Sequence, residues 1–467
     1  MWYEKIYDCV PIIFQNMIVS IKGRQIHTVR YLSGRHKKAL RKLQTNEQRF
    51  LEALENVQFR NFCAFVEHCY HLSPYYRRKF DTNGLHPGDI KSPEDISLIP
   101  IMPKADLREH TAEFFTQKIR RSMVPVHTSG TTGSPLTVYF SPEDIGRRYA
   151  FLERCRRWAG VHIGQRRASF TGQGIIPGRQ IKPPFCRYNR PGNQLLLSSY
   201  HLSPEYLPWY VKTLVDFDPK IIDGYPSSIH VVAEHLLRTG GAGMIRPRAI
   251  LVSAETLLPH QRHAIETAFQ AKVYNQYASS EGAPFISECA HGSLHVHLDS
   301  GLIEILRSDG TPAQPDELGE MVVTSFTSNV TPLLRYAIGD VAIPTNGSTS
   351  CECGLPFPVV QSVVGRLDDI LYTSERGYVG RLDTVFKKLP NSIVEAQIVQ
   401  TTPENIVLRL VPDKKRYRPK HASLVVEEIR KRLGRMVNIQ VQEVQRIPRT
   451  ANGKMRPVVN MCHDNLL

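Results

Sequence analysis

The sequence predicts an α/β fold: a large N-terminal unit with mainly parallel sheet and a β-rich part, then a small α+β unit. Three observations carry this. Strand-like runs lead directly into helices in "RRASFTG", "IIDGYPSSIHVVAEHLLRTG" and "RAILVSAETLLPHQRHAIETAF", the alternation that builds a parallel sheet. From Leu294 to Val341 the runs shorten and alternate, as in "LHVHLDSGLIEIL", "GEMVVTSF" and "PLLRYAIGDVA". The last hundred residues hold strands "AQIVQ", "NIVLRLVP" and "VNIQVQEV" around one helical run, "SLVVEEIRKRLG". The expected division is 1–366 and 367–467, with residues 1–110 mainly helical.

The elements follow in order. "NEQRFLEALENVQFRNFCAFVEHCYHL" has apolar residues at helical spacing. "LSPYYRRKF" and "LHPGDIKSPEDISLIPIMPKADL" are short elements, each ended by proline. After "TSGTTGSP" (Thr128 to Pro135) comes the β-type run "LTVYF", then a long helix from Pro142 to about Ala159, capped by Ser141. No internal repeat or low-complexity tail is present.

Composition narrows the class. With 467 residues the chain is too long for one compact core. Hydrophobic residues at 41% and charged residues at 22% exclude global disorder. The apolar run "CVPIIFQNMIV" (Cys9 to Val19) is too short to span a membrane, and it lacks the basic region and cleavage site of a signal peptide. A soluble cytoplasmic protein with no transmembrane segment and a sticky N-terminal helix is expected. Nine scattered cysteines suit a reducing compartment. Of the net charge of +15, +7 falls in 367–467, which has 18 basic and 11 acidic residues, and +8 is spread over the much longer 1–366. That balance suits a polyanionic ligand or a solvated face. No nucleic-acid-binding signature accompanies it, so nucleic acid is not expected as a partner.

"TSGTTGSP" has the glycines and hydroxyls of a loop that wraps phosphates, without the Walker lysine pattern; a hairpin loop is the plainer reading. Five further stretches follow it: "VSAETL" (Val252 to Leu257), "YASSEG" (Tyr277 to Gly282), "YAIGD" (Tyr336 to Asp340), "GRLDDI" (Gly365 to Ile370) and "PRTANGKMRPVV" (Pro448 to Val459). Each has a plain alternative. Asp340 could serve a turn, Glu281 a helix cap, and Lys454 a surface hairpin. In this order, however, the six resemble the core motifs of the adenylate-forming superfamily over about residues 70 to 459. "LSPYYRRKF", "PIMPKADLRE" and "DGYPSS" are most similar to its phenylacetate–CoA ligase and CapK-like branch.

The resemblance implies ATP-dependent activation of a carboxylic acid as an acyl-adenylate, then transfer to a thiol of CoA or a carrier protein. It leaves open transfer to an amine, or a non-catalytic nucleotide-binding scaffold of the same fold. Thr128, Ser129, Gly130, Thr131, Thr132 and Gly133 would hold the outer phosphates. Ser253, Ala254 and Glu255 would line one side of adenine, with Tyr277 stacked near it and Ala278 and Ser280 beside it. Glu281 would bind magnesium, Asp340 the ribose hydroxyls, and Arg366 the ribose and phosphate end. Lys454 would be the catalytic lysine and Asp368 the hinge. The sequence departs from the family at Ser134, where the loop usually has lysine, at Ile338, which stands in place of a cation, and at Ala278, where glycine is usual. The acid pocket is expected from "ASFTGQG" and "DGYPSSI", where Phe170 and Tyr225 permit an aryl substrate. A homodimer is allowed for.

Cys351 and Cys353 form a tight knuckle, and "ECAHGSLHVH" places Cys289 and His295 upstream in the same β-rich part. Three thiolates and one imidazole complete a tetrahedral zinc set with no open position, so the metal is read as structural. His291 and His297 are rival ligands, with His297 the nearer.

Overall fold

The structure is a computed structural model that describes residues 7–32, 34–127, 136–172, 174–177, 180–345, 351–366, 370–380, 382–386, 389–390, 392–448 and 457–462. Helices Ile12–His27, Gly34–Asn46, Leu51–Leu72 and Pro74–Thr82 open the chain, and the stretch with helical periodicity falls on Leu51–Leu72. Helix Leu51–Leu72 buries Leu54, Val57, Phe62, Phe65, Val66 and Cys69, a three-and-four spacing that keeps one stripe inward. That stripe packs with Tyr75, Tyr76, Met321, Leu333 and Tyr336 in the largest core. Each such aliphatic side chain contributes about 1.5–3 kcal/mol by leaving water.

Helix Pro142–Trp158 begins as expected. The Ser141 hydroxyl accepts from the Asp144 amide, and Asp144 accepts back from the Ser141 amide, a reciprocal cap.

The predicted parallel strands and the β-rich stretch share one twelve-stranded sheet. From one edge its strands are Cys186–Asn189, Gln194–Ser198, Arg167–Thr171, Ile221–Gly224, Ala249–Ser253 and Val273–Tyr277. They continue with Ile286–Glu288, Leu294–Val296, Val359–Arg366, Tyr336–Pro344, Gly319–Ser325 and Gly301–Leu306. Gln194–Ser198 through Val273–Tyr277 run parallel, and the remainder pair antiparallel. Crossover helices Pro226–Arg238 and Pro259–Phe269 bury Ile229, Val232, Leu236, Ile265 and Phe269 against Ile222, Ile250 and Val273.

The C-terminal segment forms its own four-stranded sheet, ordered Asn438–Glu443, Asn405–Pro412, Ile393–Thr402 and Val458–Asn460. Helix Pro419–Leu433 covers it and closes a separate core with Ile398, Leu408, Leu410, Val425 and Ile429.

Candidate active site and cysteine–histidine centre

Four neighbouring strands, Arg167–Thr171, Ile221–Gly224, Ala249–Ser253 and Val273–Tyr277, are mutually parallel. Their C-terminal ends therefore meet along one rim, the usual place for a ligand in such sheets. Two motifs leave that rim directly. Ser253 ends one strand, and Ala254 follows in the left-handed region at φ 66°, an uncommon conformation for alanine that turns the chain sharply. Glu255 accepts from the Ser227 amide at 3.2 Å. Tyr277 ends the next strand. After it the Ser279 hydroxyl accepts from the amides of Gly282 and Ala283 at 3.1 and 2.9 Å, which fixes the turn bearing Glu281. Ala278 and Ser280 are exposed on that turn.

The other half comes from two antiparallel strands, where the register pairs Asp340 with Arg366. Arg366 Nε lies 3.0 Å from Asp340 Oδ1, and its Nη2 lies 3.9 Å from Glu281 Oε1. The Tyr277 hydroxyl donates to Asp340 Oδ2 at 2.7 Å. In this geometry Tyr277 meets the acid through its hydroxyl, a contact the stacking expectation did not include. Ile338 is fully buried and its carbonyl accepts from Arg366 Nη1 at 2.8 Å.

Glu281 is 1% exposed, and Lys104 Nζ donates to it at 2.9 Å. Burial raises the Glu281 carboxyl, but Lys104 and Arg366 outweigh it and hold it below the usual carboxylate range. Burial likewise lowers the Arg366 guanidinium, and Asp340 and Glu281 together bring it above its ordinary value. Burial and the Asp340 carboxylate keep the Tyr277 phenol protonated. The result is a network of two buried carboxylates, two half-buried cations and a half-buried phenol. Such a network can bind a polyhydroxyl and a cation by exchanging internal partners for ligand ones.

Lys104 was not among the residues the motifs pointed to. Its signal was the stretch "PIMPKADLRE", noted only as a family trait. The segment reaches the site because the Met102 amide donates to the Arg335 carbonyl at 2.7 Å and the Met102 carbonyl accepts from the Ala337 amide at 3.0 Å. Half-buried Arg148 is a second residue outside the motifs, donating from Nη2 to the Ser279 carbonyl at 3.1 Å; burial lowers its guanidinium to about 10. The loop Thr128–Gly133, Ser134, Asp368 and Lys454 lie outside the described residues.

Near the proposed acid pocket, a Cβ at Gly172 would come within 2.5 Å of the Tyr225 hydroxyl, so the missing side chain admits that ring. Phe170 corrects an expectation. It is 1% exposed and stacked with Tyr210 inside the core, so it does not line a pocket.

The ligating atoms of Cys289, His295, Cys351 and Cys353 all lie within 4.8 Å of one another. Cys289 and Cys351 Sγ are 3.7 Å apart, and Cys353 Sγ is 3.3 Å from His295 Nε2. A tetrahedral zinc with bonds of about 2.3 Å to sulfur requires sulfur–sulfur edges of about 3.8 Å, so the donor set fits. His295 Nδ1 is 2.7 Å from the Phe357 carbonyl, a contact that would fix Nε2 as the ligating nitrogen. The amides of His291 and Leu355 donate to Cys289 and Cys353 sulfurs at 3.3 and 3.4 Å. Burial opposes ionisation of Cys351, but hydrogen bonding with Ser293 and the Cys353 amide brings its thiol down to about 6. Cys353 moves the other way, because burial and its neighbouring sulfurs disfavour a second charge. A dication would remove that conflict.

The two rival histidines are elsewhere. His297 is fully buried, stacked on Phe357 with Nδ1 3.3 Å from Arg154, and burial keeps it neutral. His291 pairs with Glu352 at 3.4 Å on the surface.

Comparison with known proteins places this geometry in a family. Residues 371–461 match the CapK C-terminal domain. Protein CapK of Staphylococcus aureus is 34% identical over 463 residues, covering 97% of this chain and 98% of that protein. The phenylacetate–coenzyme A ligase of Thermus thermophilus is 26% identical over 455 residues, covering 90% and 98%. Among solved structures, 2-hydroxyisobutyryl-CoA ligase in the postadenylation state superposes with a TM-score of 0.62 at 20% identity, covering 89% of this chain and 91% of that one. That likeness establishes the fold as that of the adenylate-forming ligases. The chain belongs to the CapK family, in the branch of the adenylate-forming enzymes that includes the phenylacetate–CoA ligases.

Proposed function

We propose that this protein uses ATP to activate a small carboxylic acid as an acyl-adenylate and passes the acyl group to a thiol, that of CoA or of a carrier protein. The observation that carries the reading is the network in which half-buried Tyr277 and Arg366 engage the buried carboxylates of Asp340 and Glu281 beside the rim of the parallel strands. The relatives named phenylacetate–CoA ligase support the acid and thiol classes.

In the first step a carboxylate oxygen bonds to the α-phosphorus and pyrophosphate leaves. In the second a thiolate attacks the acyl carbon and AMP leaves with the bonding pair. Asp340 would accept both ribose hydroxyls, releasing Tyr277 or Arg366 as it does so. Arg366, freed toward the nucleotide, would hold the ribose and phosphate end. Glu281 would hold magnesium, which neutralises phosphate charge. Thr128 to Gly133 would wrap the outer phosphates. Lys454, carried by 367–467, would meet charge developing between carboxylate and α-phosphate, and Asp368 would be the hinge on which that unit turns between steps. Lys104, which donates to Glu281, would keep that carboxylate ionised for the metal. Cys289, His295, Cys351 and Cys353 would hold a structural zinc. Tyr225 against Gly172 would bound the acid, with an aryl acid as the class such a ring best contacts.

The test is pyrophosphate release from ATP across a panel of aryl and aliphatic acids, with and without CoA. Acid-dependent release, followed by CoA consumption, is expected. ATP binding without release for any acid would favour a nucleotide-binding scaffold. Release without CoA consumption would point to a carrier-protein or amine acceptor.

A further inference from the structure

Helix Ile12–His27 has little net amphipathicity, yet it turns several polar side chains toward the protein and leaves large apolar ones exposed. Gln15 is 3% exposed and accepts from the buried guanidinium of Arg187 at 2.8 Å. Asn16 accepts from the Tyr188 amide at 2.9 Å, and Ser20 donates to the Tyr188 carbonyl at 3.2 Å. Tyr188 lies on the edge strand of the twelve-stranded sheet, so these side chains satisfy backbone groups that the edge leaves open. Gly23 permits the approach, since a Cβ there would come within 2.0 Å of Asn189.

Four large apolar side chains are exposed on the outward side, with Arg24 among them. Ile13 is 74% exposed, Phe14 49%, Met17 52% and Ile21 56%. They recur at three- and four-residue spacing and form one stripe. Covering the sheet edge requires only the inward side chains, so fold stability gives no reason for the outward ones.

The charge around this stripe indicates what covers it. Residues 9–46 contain eight Lys and Arg and no Asp or Glu. Lys22 and Arg24 are exposed on the same helix, as are Lys37, Lys38, Arg41 and Lys42 on the next. A second copy of the chain would bring this acid-free cationic segment against itself. An anionic lipid surface instead takes the apolar stripe at its interface and attracts the cations around it. No described helix is long and apolar enough to cross a membrane, so the contact is peripheral.

We propose that helix Ile12–His27 seats the protein on an anionic membrane surface through Ile13, Phe14, Met17 and Ile21. The full chain is sedimented with vesicles of phosphatidylcholine alone, and with vesicles of phosphatidylcholine and phosphatidylglycerol in equal parts. Preferential binding to the anionic vesicles is expected. The triple variant Ile13→Ser, Phe14→Ser, Met17→Ser should lower the partition at least about tenfold, since three apolar side chains leave the interface. These side chains are exposed, so the variant should keep its unfolding midpoint and its ATP affinity. Lys37→Glu with Lys38→Glu should weaken binding at low salt and much less at high salt. The proposal is overturned if the parent ignores anionic vesicles or if the triple variant binds them as the parent does. It is also overturned if sedimentation equilibrium shows that the parent is a dimer that the same triple variant dissociates, with no effect on vesicles.

Discussion

Asp340 can grip a ribose only by giving up internal partners, because both its oxygens are engaged, one by the Tyr277 hydroxyl and one by Arg366. Asp340→Asn keeps the shape and removes the charge. ATP affinity should fall by about 1.5–3 kcal/mol for each charge-assisted bond lost. Calorimetric titration checks this, and unchanged affinity would leave Asp340 as no more than a structural partner of Arg366 and Tyr277. Lys454 makes the complementary case. Its proposed contact strengthens as negative charge develops, so Lys454→Ala should slow adenylate formation about 10²–10³-fold and spare ATP binding. A preformed acyl-adenylate should still be converted to thioester by this variant. Loss of both half-reactions in a folded protein would count against a turning C-terminal unit.

Among the elements, the cysteine–histidine centre joins strand Leu294–Val296 and the turn before it to the segment leading into strand Val359–Arg366. Leu294 pairs with Val360 and His295 with Val359, so the register carries the upstream cysteine and histidine to the downstream pair. Purified protein should contain about one zinc per chain. Cys353→Ser should lower both metal content and the unfolding midpoint, because the remaining donors no longer close a tetrahedron. Metal-free protein with unchanged stability would show that the four side chains are packing groups. Lys104 illustrates why element context matters. As a lysine in a proline-rich stretch it has no chemical signature, and only the Met102 bridge to Tyr336 brings it to Glu281.

At the scale of the whole molecule, two sheets divide the proposed tasks. The nucleotide network stands on the large sheet, and the strand Val458–Asn460, four residues after Lys454, belongs to the small one. Leu408 is fully buried in the small core. Leu408→Ala should destabilise that unit by about 2–5 kcal/mol. ATP binding should persist while adenylate formation drops, and the unfolding curve should separate into two transitions. A single transition with both activities lost together would mean that the two sheets form one cooperative unit.

The sequence alone determined the alternation of strands and helices, the Ser141 cap, the order of the six motifs and the four members of the cysteine–histidine set. Those features are local. Apolar period, capping chemistry and glycine or cysteine spacing act within a few residues and can be read from them. Tertiary structure decided the rest. It joined the parallel and antiparallel strands into one sheet and turned the Tyr277 hydroxyl onto Asp340. It sent Phe170 into the core, set the rival His297 apart from the four ligands and delivered Lys104 to Glu281. Each depends on sheet register or on packing between residues far apart in the chain, and no local pattern encodes which distant partner will be adjacent.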